Sequence, residues 1–388
     1  MNDEGMRNEE ISALLAERIA AGDFPSAVYA VAERGEIMFA DALGDAVRAP
    51  VRHPATLDTI YDLASLTKPL VTGLLCALQV ERGVFGLDAE VSRHLPEFAR
   101  EDKRRITVRQ LLTHTSGFPA WRPLYIDARG ERQRVIEVIG EQELEREPGA
   151  RVVYSDLNFI TLGFLLQRVS GRPLAELARG EIFAPLRLRR TFFNPARAFQ
   201  TEVAACESAG NAYERDMCEN DLSLKTEGSP TRGHWREGLI WGEVHDGNAH
   251  FLGGVAGHAG LFSTATEAVS IARQFIAGCT QLLSPETCAL FRTNLTEGLN
   301  EARSFAWQLA ATKDSTAGPA LPADAFGHLG FTGTSCWIDP ARERVFILLT
   351  NRTHARSSLP FVNINGVRRR FHTLAVEALE QDGTTRKS

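Results

Sequence analysis

The sequence predicts an α/β fold of the α+β type: an antiparallel β-sheet flanked by N- and C-terminal helices, with a mainly helical region inserted between distant strands. Strand patterns and an amphipathic helix occur at each end of the 388 residues, and helical periodicity dominates from residue 63 to about residue 278. A sheet built from both ends requires distant segments to meet. We therefore predict a sheet domain over 1–62 and 300–388, and a mainly helical domain with long active-site loops over 63–299.

The N-terminal segment predicts a helix followed by a β-hairpin. Apolar side chains recur at helical spacing over residues 8–21, and Gly22 ends the pattern. Two apolar runs, 27–32 and 37–42, then flank Arg34 and Gly35. Glycine supplies the positive φ that a tight hairpin turn needs, so we place the turn there.

Further helices and a second group of strands follow. Helical patterns begin near residues 65, 107, 155 and 264, and the second has Thr107 as a typical N-cap and Gly117 as a typical stop. Apolar runs on either side of 339–342 predict a strand pair. Residues 362–381 predict a last amphipathic helix, on which Arg368 to Arg370 are expected to form a solvated face.

Composition and charge exclude several classes of function. Asp and Glu (49) outnumber Lys and Arg (43), and a net charge of −6 has the wrong sign for a surface that binds nucleic acid. The longest apolar stretch, 70–80, is too short to span a membrane. The acidic N-terminus does not resemble a signal peptide, so we expect a cytoplasmic protein, or a periplasmic one if an export segment has been removed. The six cysteines form no metal-binding pair and are expected to be buried thiols or, less often, one surface disulfide.

The clearest chemical signature is Ser65-Leu66-Thr67-Lys68. The chain has five Lys against 38 Arg, and Lys68 stands three residues after Ser65 at the start of a predicted helix. Residues i and i+3 share one helix face, so the Lys68 amine can reach the Ser65 hydroxyl. The helix N-terminus disfavours a charged amine, and its free N–H groups can stabilise an oxyanion. The alternative is an ordinary N-cap serine with a solvated lysine.

Two more segments have residues suited to acyl transfer. Tyr154 precedes a predicted helix, where its hydroxyl can face a cleft and carry a proton. The run Gly327-His328-Leu329-Gly330 leads into a strand, and glycines there allow a substrate to approach the backbone closely. Each signal alone is weak.

Together, five blocks resemble the serine β-lactamase and penicillin-binding protein superfamily, most closely its class C-like branch, which also contains esterases and D-amino-acid peptidases. The resemblance covers about residues 8–380. The blocks stand in the family's order: Ser65–Lys68, Leu112–Gly117, Tyr154–Asp156, Gly257–Thr264 and His328–Gly330.

The resemblance implies a serine hydrolase that acts through an acyl-enzyme on an ester, amide or β-lactam carbonyl. It implies that Ser65 is the nucleophile, that Lys68 and Tyr154 activate it and protonate the leaving group, and that His328 lies beside the substrate. It also implies an oxyanion hole formed by the backbone N–H groups of Ser65 and Phe331. No cofactor and no metal are expected, and the partner is a small-molecule or short peptide-like substrate.

Two departures from the family pattern bear on mechanism and substrate. Asp156 stands where many relatives have Asn, and a carboxylate near Lys68 favours the charged ammonium, which moves the expected role of base toward Tyr154. His328 and Leu329 stand where β-lactamases and many D,D-peptidases have Lys followed by Thr or Ser. A permanent cation and a hydroxyl are thereby lost, so we expect an ester or amide substrate without an essential carboxylate.

Several alternatives stay open. The protein is otherwise a penicillin-binding D,D-peptidase or D-aminopeptidase, or a non-catalytic ligand-binding member of the same fold. The loop 243–250 and His258 invite a zinc hypothesis, but their spacing fits no helical metal motif, so loop-anchoring hydrogen bonds are preferred. His114 is expected to tie down the helix end at 116–117. The indoles either line a cleft or pack in local core: Trp235, Trp241 and Trp307.

Overall fold

The computed structural model describes residues 7–220, 235–354 and 361–385. Its strands are β1 (Ser26–Glu33), β2 (Glu36–Val47), β3 (His53–Pro54), β4 (Tyr61–Asp62), β5 (Phe192–Phe193), β6 (Leu261–Ser263), β7 (Gln308–Leu309), β8 (Phe326–Leu329), β9 (Ser335–Asp339) and β10 (Arg344–Thr350). Within these ranges, seven strands form one sheet in the order β3-β2-β1-β10-β9-β8-β7. A small second sheet has the order β4-β6-β5.

Most helices lie between β4 and β7. They are α1 (Glu9–Ala21), α2 (Leu74–Glu81), α3 (Val108–Leu112), α4 (Leu124–Asp127), α5 (Val135–Glu141), α6 (Asp156–Ser170), α7 (Leu174–Ala178), α8 (Ala212–Asn220), α9 (Gly247–Phe251), α10 (Ala265–Ala272), α11 (Pro285–Ala289) and α12 (Asn365–Thr385). Shorter 3-10 and π-helical turns separate several of them. None of the helices in the described ranges is both long and apolar enough to cross a membrane.

The large sheet joins the two ends of the chain. β1 pairs with β2 through the predicted turn, where Arg34 and Gly35 have φ values of 52° and 84°, and it pairs with β10 on its other side from Ala27–Thr350 to Glu33–Arg344. All pairs in this sheet are antiparallel. The predicted fold class is therefore confirmed, whereas the division into 1–62 with 300–388 and 63–299 stays a prediction.

The two faces of β1 and β10 are both covered. The terminal helices α1 and α12 bring Ile11 and Phe371 against Tyr29 and Phe346 on one face. The other face packs into the larger core, where α10 lies over both strands. Buried apolar side chains of this size each contribute about 1.5–3 kcal/mol to folding, so the middle of the sheet is a stable platform for its edge strands.

Two predictions about helices are wrong. The helix that starts after Thr107 has the expected cap, completed by a reciprocal bond with Gln110, but it ends at Leu112. Gly117 lies beyond it in a turn at φ 89°, where an added Cβ would stand 2.0 Å from the carbonyl oxygen of Arg146. Arg368 does not lie on a solvated face, since it is buried beneath the β8–β9 connection.

The six cysteines and three of the tryptophans are packed inside the protein and do not line the candidate site. All six cysteines are free thiols, five of them buried and Cys279 half-buried, as expected. Trp307 is fully buried in the core, Trp241 packs against core side chains, and Trp235 packs on Tyr125. The three indoles are thus local core, not cleft lining.

Candidate active site

A cavity of about 480 Å³ lies between the helical region and the β8 edge of the large sheet. Six of the seven predicted site residues line it, and the seventh, Lys68, lies directly behind Ser65. The lining is Ala64, Ser65, Ala120, Trp121, Tyr154, Asp156, Tyr213, Glu214, Met217, His245, Asp246, Ala259, Arg303, Gln308, His328, Leu329, Gly330, Phe331, Arg352 and Arg368.

Ser65 sits on a tight, strained turn. It belongs to a 3-10 turn at Ala64–Leu66, and Ala64 before it has a φ of 47°, a left-handed conformation that side-chain-bearing residues rarely adopt. The buried carboxylate of Asp62 holds this conformation by accepting the Ala64 N–H at 2.8 Å. Such a turn exposes the Ser65 side chain at the cavity wall while the helix continues away from it.

Lys68 is fully buried and is bonded to three oxygens. Its Nζ lies 2.9 Å from Ser65 Oγ, 2.7 Å from Asp156 Oδ1 and 3.1 Å from the carbonyl oxygen of His258. Lys68 opens a π-helical segment, Lys68–Gly73, that leads into α2. The i, i+3 spacing therefore places the Lys68 amine within hydrogen-bond distance of the Ser65 hydroxyl, as the sequence pattern predicts.

The protonation of Lys68 is decided by its neighbours. Burial by itself lowers the pKa of this amine, but Asp156 and Tyr154 outweigh burial and raise its pKa above the ordinary value. The ammonium is thus the resting form. Asp156, which stands where many relatives have Asn, raises the pKa of Lys68 as its negative charge predicts.

Tyr154 lies against both reacting groups. Its ring centroid is 5.0 Å from Lys68 Nζ, and its phenol interacts with Ser65 and Lys68. Burial raises the pKa of Tyr154, and Lys68 only partly opposes that rise. Both candidate bases therefore hold their protons at neutral pH, and the two groups titrate as a coupled pair.

His114 lies against Tyr154 and is also connected to the 116–117 turn through Asn158, whose Nδ2 lies 3.2 Å from His114 Nδ1 and whose Oδ1 accepts the Ser116 hydroxyl at 2.5 Å. Its ring lies 4.6 Å from the Tyr154 ring, and its Nδ1 accepts the Ser155 N–H at 3.0 Å. Its carbonyl accepts the Val153 N–H at 2.9 Å. His114 thereby fixes the backbone on both sides of the phenol.

His328 is a neutral group on β8. Its Nδ1 lies 2.8 Å from the carbonyl oxygen of Leu329, and its ring is 5.7 Å from that of Tyr154. Burial, together with Lys68 and Arg303, puts the pKa of His328 well below its usual range. The imidazole thus does not replace the cation that the family pattern has at this position.

The turn after β8 is fastened to the Ser65 turn. Thr332 and Thr334 donate their hydroxyls to the carbonyls of Asp62 and Leu63, at 2.8 and 2.9 Å. Gly330 makes this contact possible, since an added Cβ would lie 2.5 Å from the Leu63 carbonyl oxygen and 1.9 Å from Thr334 Oγ1.

Two backbone donors are left free beside the nucleophile. In the described part of the chain, neither the N–H of Ser65 nor that of Phe331 donates to any acceptor. The two turns are bonded together, and both Ser65 and Phe331 line the cavity. Free N–H groups at such a place can stabilise a developing oxyanion.

The sequence reading missed Arg303, a cation in the cavity. It precedes β7, is 4% exposed, and its guanidinium lies 5.6 Å from the Tyr154 ring. Nη2 pairs with Glu301 at 2.6 Å, while Nε and Nη1 are buried without a partner among the described residues. Unpaired buried donors call for an explanation. No local pattern marks this arginine, because only the sheet brings it to Ser65.

The opposite wall is acidic and its loops are anchored. Asp246 accepts from Ala249 N–H and lies 2.9 Å from His258 Nε2, and burial raises the pKa of Glu214 to about 7. Asp156, Asp246 and His258 have ligand atoms within 4.8 Å of one another. The Lys68 ammonium already neutralises Asp156 there, so the anchoring interpretation of these residues agrees with the geometry better than a zinc site does.

Comparison with known proteins identifies the family and the fold. The family model described as Beta-lactamase matches residues 11–365. An Escherichia coli (strain K12) protein with the provisional name D-alanyl-D-alanine carboxypeptidase is 29% identical over 92% of this chain and 85% of its own. Two solved structures share the fold. EstCE1, described as a hydrolase with promiscuous acyltransferase activity, has a TM-score of 0.71 at 23% identity and covers 95% of this chain and 99% of its own. A class C beta-lactamase from Rhodobacter sphaeroides has a TM-score of 0.69 at 19% identity and covers 96% of this chain and all of its own.

Proposed function

The chain belongs to the beta-lactamase family and is a serine hydrolase, and we propose that it is a carboxypeptidase-type amidase: it cleaves a short peptide-like substrate whose leaving group carries a carboxylate. The observation that carries this proposal is Arg303, which lines the Ser65 cavity and whose guanidinium has two buried nitrogens without a partner among the described residues. The relatives named D-alanyl-D-alanine carboxypeptidase support the same substrate class.

Arg303 supplies the permanent cation that His328 lacks. A guanidinium stays charged at any pH of interest and forms strong bonds with a carboxylate. This favours a carboxylate in the substrate and replaces the expectation, drawn from the His328-Leu329 departure alone, that none is needed.

The proposed reaction starts with Ser65 Oγ attacking the substrate carbonyl carbon. The carbonyl oxygen becomes an oxyanion bound by the N–H groups of Ser65 and Phe331. The Lys68–Tyr154 pair first releases one of its protons to solvent, so that it can accept the proton of Ser65 Oγ. It passes that proton to the leaving nitrogen as the C–N bond breaks, and an amine departs. The acyl group stays on Ser65 as an ester until water releases it as a carboxylic acid.

The acyl part of the substrate faces apolar and aromatic side chains. Trp121, Tyr213, Met217 and Phe331 lie in the lining of the cavity. Surfaces of this kind bind rings and alkyl groups through their buried area. Simple esters with small acyl groups are therefore expected to be turned over as well, without help from Arg303.

A pair of matched substrates tests the proposal. For an N-acyl-D-alanyl-D-alanine peptide, Arg303→Gln should lower kcat/KM by roughly 10- to 150-fold, since hydrogen bonds to charged groups contribute about 1.5–3 kcal/mol. For the same peptide with a C-terminal amide, the variant and the wild type should agree within about threefold. Arg292→Gln, which removes an exposed arginine paired with Asp324, is the control. Equal losses on both peptides would refute the carboxylate role.

A further inference from the structure

A second acid–base pair lies in the same cavity, outside the Ser65–Lys68–Tyr154 group. Resting on the proposed function, we propose that His245, oriented by Glu207, removes the proton from the water that hydrolyses the acyl-Ser65 ester. The Lys68–Tyr154 pair would then supply the base for acylation, and His245 would supply the base for deacylation.

The pair has a defined tautomer. His245 Nε2 lies 2.9 Å from Glu207 Oε2, and Oε1 of the same carboxylate accepts the Tyr213 N–H at 3.0 Å. Both residues are 4% exposed. A carboxylate only accepts hydrogen bonds, so Nε2–H is the donor, and in the neutral imidazole Nδ1 has the free lone pair.

Nδ1 is available to a ligand or a water. His245 lines the cavity, and this nitrogen has no partner among the residues that the structure describes. An imidazole whose far nitrogen is bonded to a buried carboxylate is the arrangement by which hydrolases orient a general base.

His245 is tied to the Ser65 turn and to Phe331. The two oxygens of Asp62 accept the N–H of Ala64 at 2.8 Å and the N–H of His245 at 2.7 Å, so one carboxylate joins both segments. The His245 ring stacks on Phe331 with centroids 5.6 Å apart and planes at 25°. The imidazole therefore lies next to the residue whose N–H is proposed to bind the acyl oxygen.

The proposed step is balanced as follows. A proton moves from water to Nδ1 of His245 as the water oxygen bonds to the acyl carbon. The resulting tetrahedral oxyanion collapses, the bond from that carbon to Ser65 Oγ breaks, and Oγ takes a proton from the Lys68–Tyr154 pair. The products are a carboxylic acid and free Ser65, and the His245 proton leaves to solvent or to that pair.

The His245 imidazole is not needed to anchor its loop. Anchoring of this loop is already provided by Asn248, which bonds Leu124 N–H and the carbonyl of Arg122, and by the backbone bond from His245 to Asp62. Replacing the imidazole leaves these bonds in place, so the fold is expected to survive the substitution.

The test is His245→Gln with p-nitrophenyl acetate, because the Gln amide can still donate to Glu207 but offers no base. We expect a burst of p-nitrophenol, a kcat about 100-fold lower with KM lowered in parallel, kcat/KM within about threefold of wild type, and an acetyl adduct on Ser65 by intact-protein mass. Glu207→Gln should give the same pattern with a smaller loss.

The control is His250→Gln, which removes a half-exposed imidazole of the same segment and should change nothing. Loss of kcat and kcat/KM together without an adduct, or an unchanged kcat, in both His245→Gln and Glu207→Gln would overturn the proposal. Failure of the proposed function is distinguishable, because that function is tested by the acid and amide peptides with Arg303→Gln, whereas the present test uses an ester whose turnover does not need Arg303.

Discussion

At the scale of single residues, Asp156 decides the charge state of the site. Its carboxylate raises the pKa values of Lys68 and Tyr154, so each holds a proton that the reaction requires one of them to lose. The rate of acylation should therefore rise with pH on the alkaline side. The direction of this dependence does not depend on which of the two accepts the Ser65 proton.

Asp156→Asn should move that rise to lower pH. Removing the charge lowers both pKa values, and a neighbouring opposite charge shifts a pKa by about 1–3 units, so kcat/KM near neutral pH should increase relative to the alkaline plateau. The measurement is kcat/KM for p-nitrophenyl acetate from pH 6 to 10. Asp88→Asn, at an exposed pair with Arg109, is the control. An unmoved profile would show that Asp156 does not set the protonation of the base.

Gly330 sets the distance between the oxyanion donors. Gly330→Ala places a methyl group into the Leu63 carbonyl and Thr334, so the turn must move and take the Phe331 N–H with it. We expect kcat/KM to fall by about 100-fold or more, the cost of losing one oxyanion donor. Gly86→Ala is the control, since nothing lies within 4 Å of an added Cβ there and its φ is ordinary. Similar kinetics for the two variants would argue against Phe331 as a donor.

Site residues that are close together along the chain can be predicted from the sequence, whereas distant ones cannot. Ser65 and Lys68 are three residues apart, so helix geometry alone brings them together. Arg303 is brought to the cavity by the sheet, and His245 is brought there by its bond to Asp62. No spacing of residues in the local sequence predicts either contact. The effect of Asp156 was predictable once its nearness to Lys68 was implied by the family resemblance.

At the scale of elements, α12 supports the active-site turn from behind. Arg368 donates from Nη2 to the carbonyls of Gly330 and Thr334 at 3.2 and 2.9 Å, and burial lowers its pKa to about 9. The sequence predicts a solvated face on α12, but Arg368 on this helix instead bonds the turn at residues 330–334 in the active site. The prediction of one solvated face is wrong because successive helix residues point in different directions, so Arg368 is buried and Arg370 is exposed.

Arg368→Met should loosen that turn. Two buried carbonyls each lose one of two donors, since the Gly330 carbonyl also accepts the Gly333 N–H and the Thr334 carbonyl also accepts the Gly330 N–H. A hydrogen bond to a charged group contributes about 1.5–3 kcal/mol, so both the midpoint of thermal unfolding and kcat/KM should fall. Arg370→Met, two residues on and exposed, should alter neither. Differential scanning fluorimetry and p-nitrophenyl acetate turnover measure the two effects. Full activity in a destabilised Arg368→Met protein would separate α12 from the active site.

Some boundaries of helices and strands can be predicted from the local sequence, and others cannot. The N-cap at Thr107 and the Arg34-Gly35 turn depend on neighbouring atoms and were predicted correctly. The end of α3 was not, because Gly117 serves a contact with the carbonyl of Arg146 that only the folded chain contains.

At the scale of the whole molecule, the fold brings two turns from distant parts of the chain together. The sheet supplies the 330–334 turn from its edge, the helical region supplies the Ser65 turn, and hydroxyl bonds from Thr332 and Thr334 join them. The order of the motifs along the chain predicted this convergence, because strands at both ends must pair across the helical insert.

The central claim is that Ser65 is a nucleophile activated by Lys68 and Tyr154. Intact-protein mass spectrometry after incubation with a fluorophosphonate tests it directly. The account predicts one covalent adduct on the wild type, mapped to Ser65, none on Ser65→Ala, and strongly slowed labelling of Lys68→Ala and Tyr154→Phe. An unlabelled wild type, or an adduct that persists on Ser65→Ala, would contradict the account.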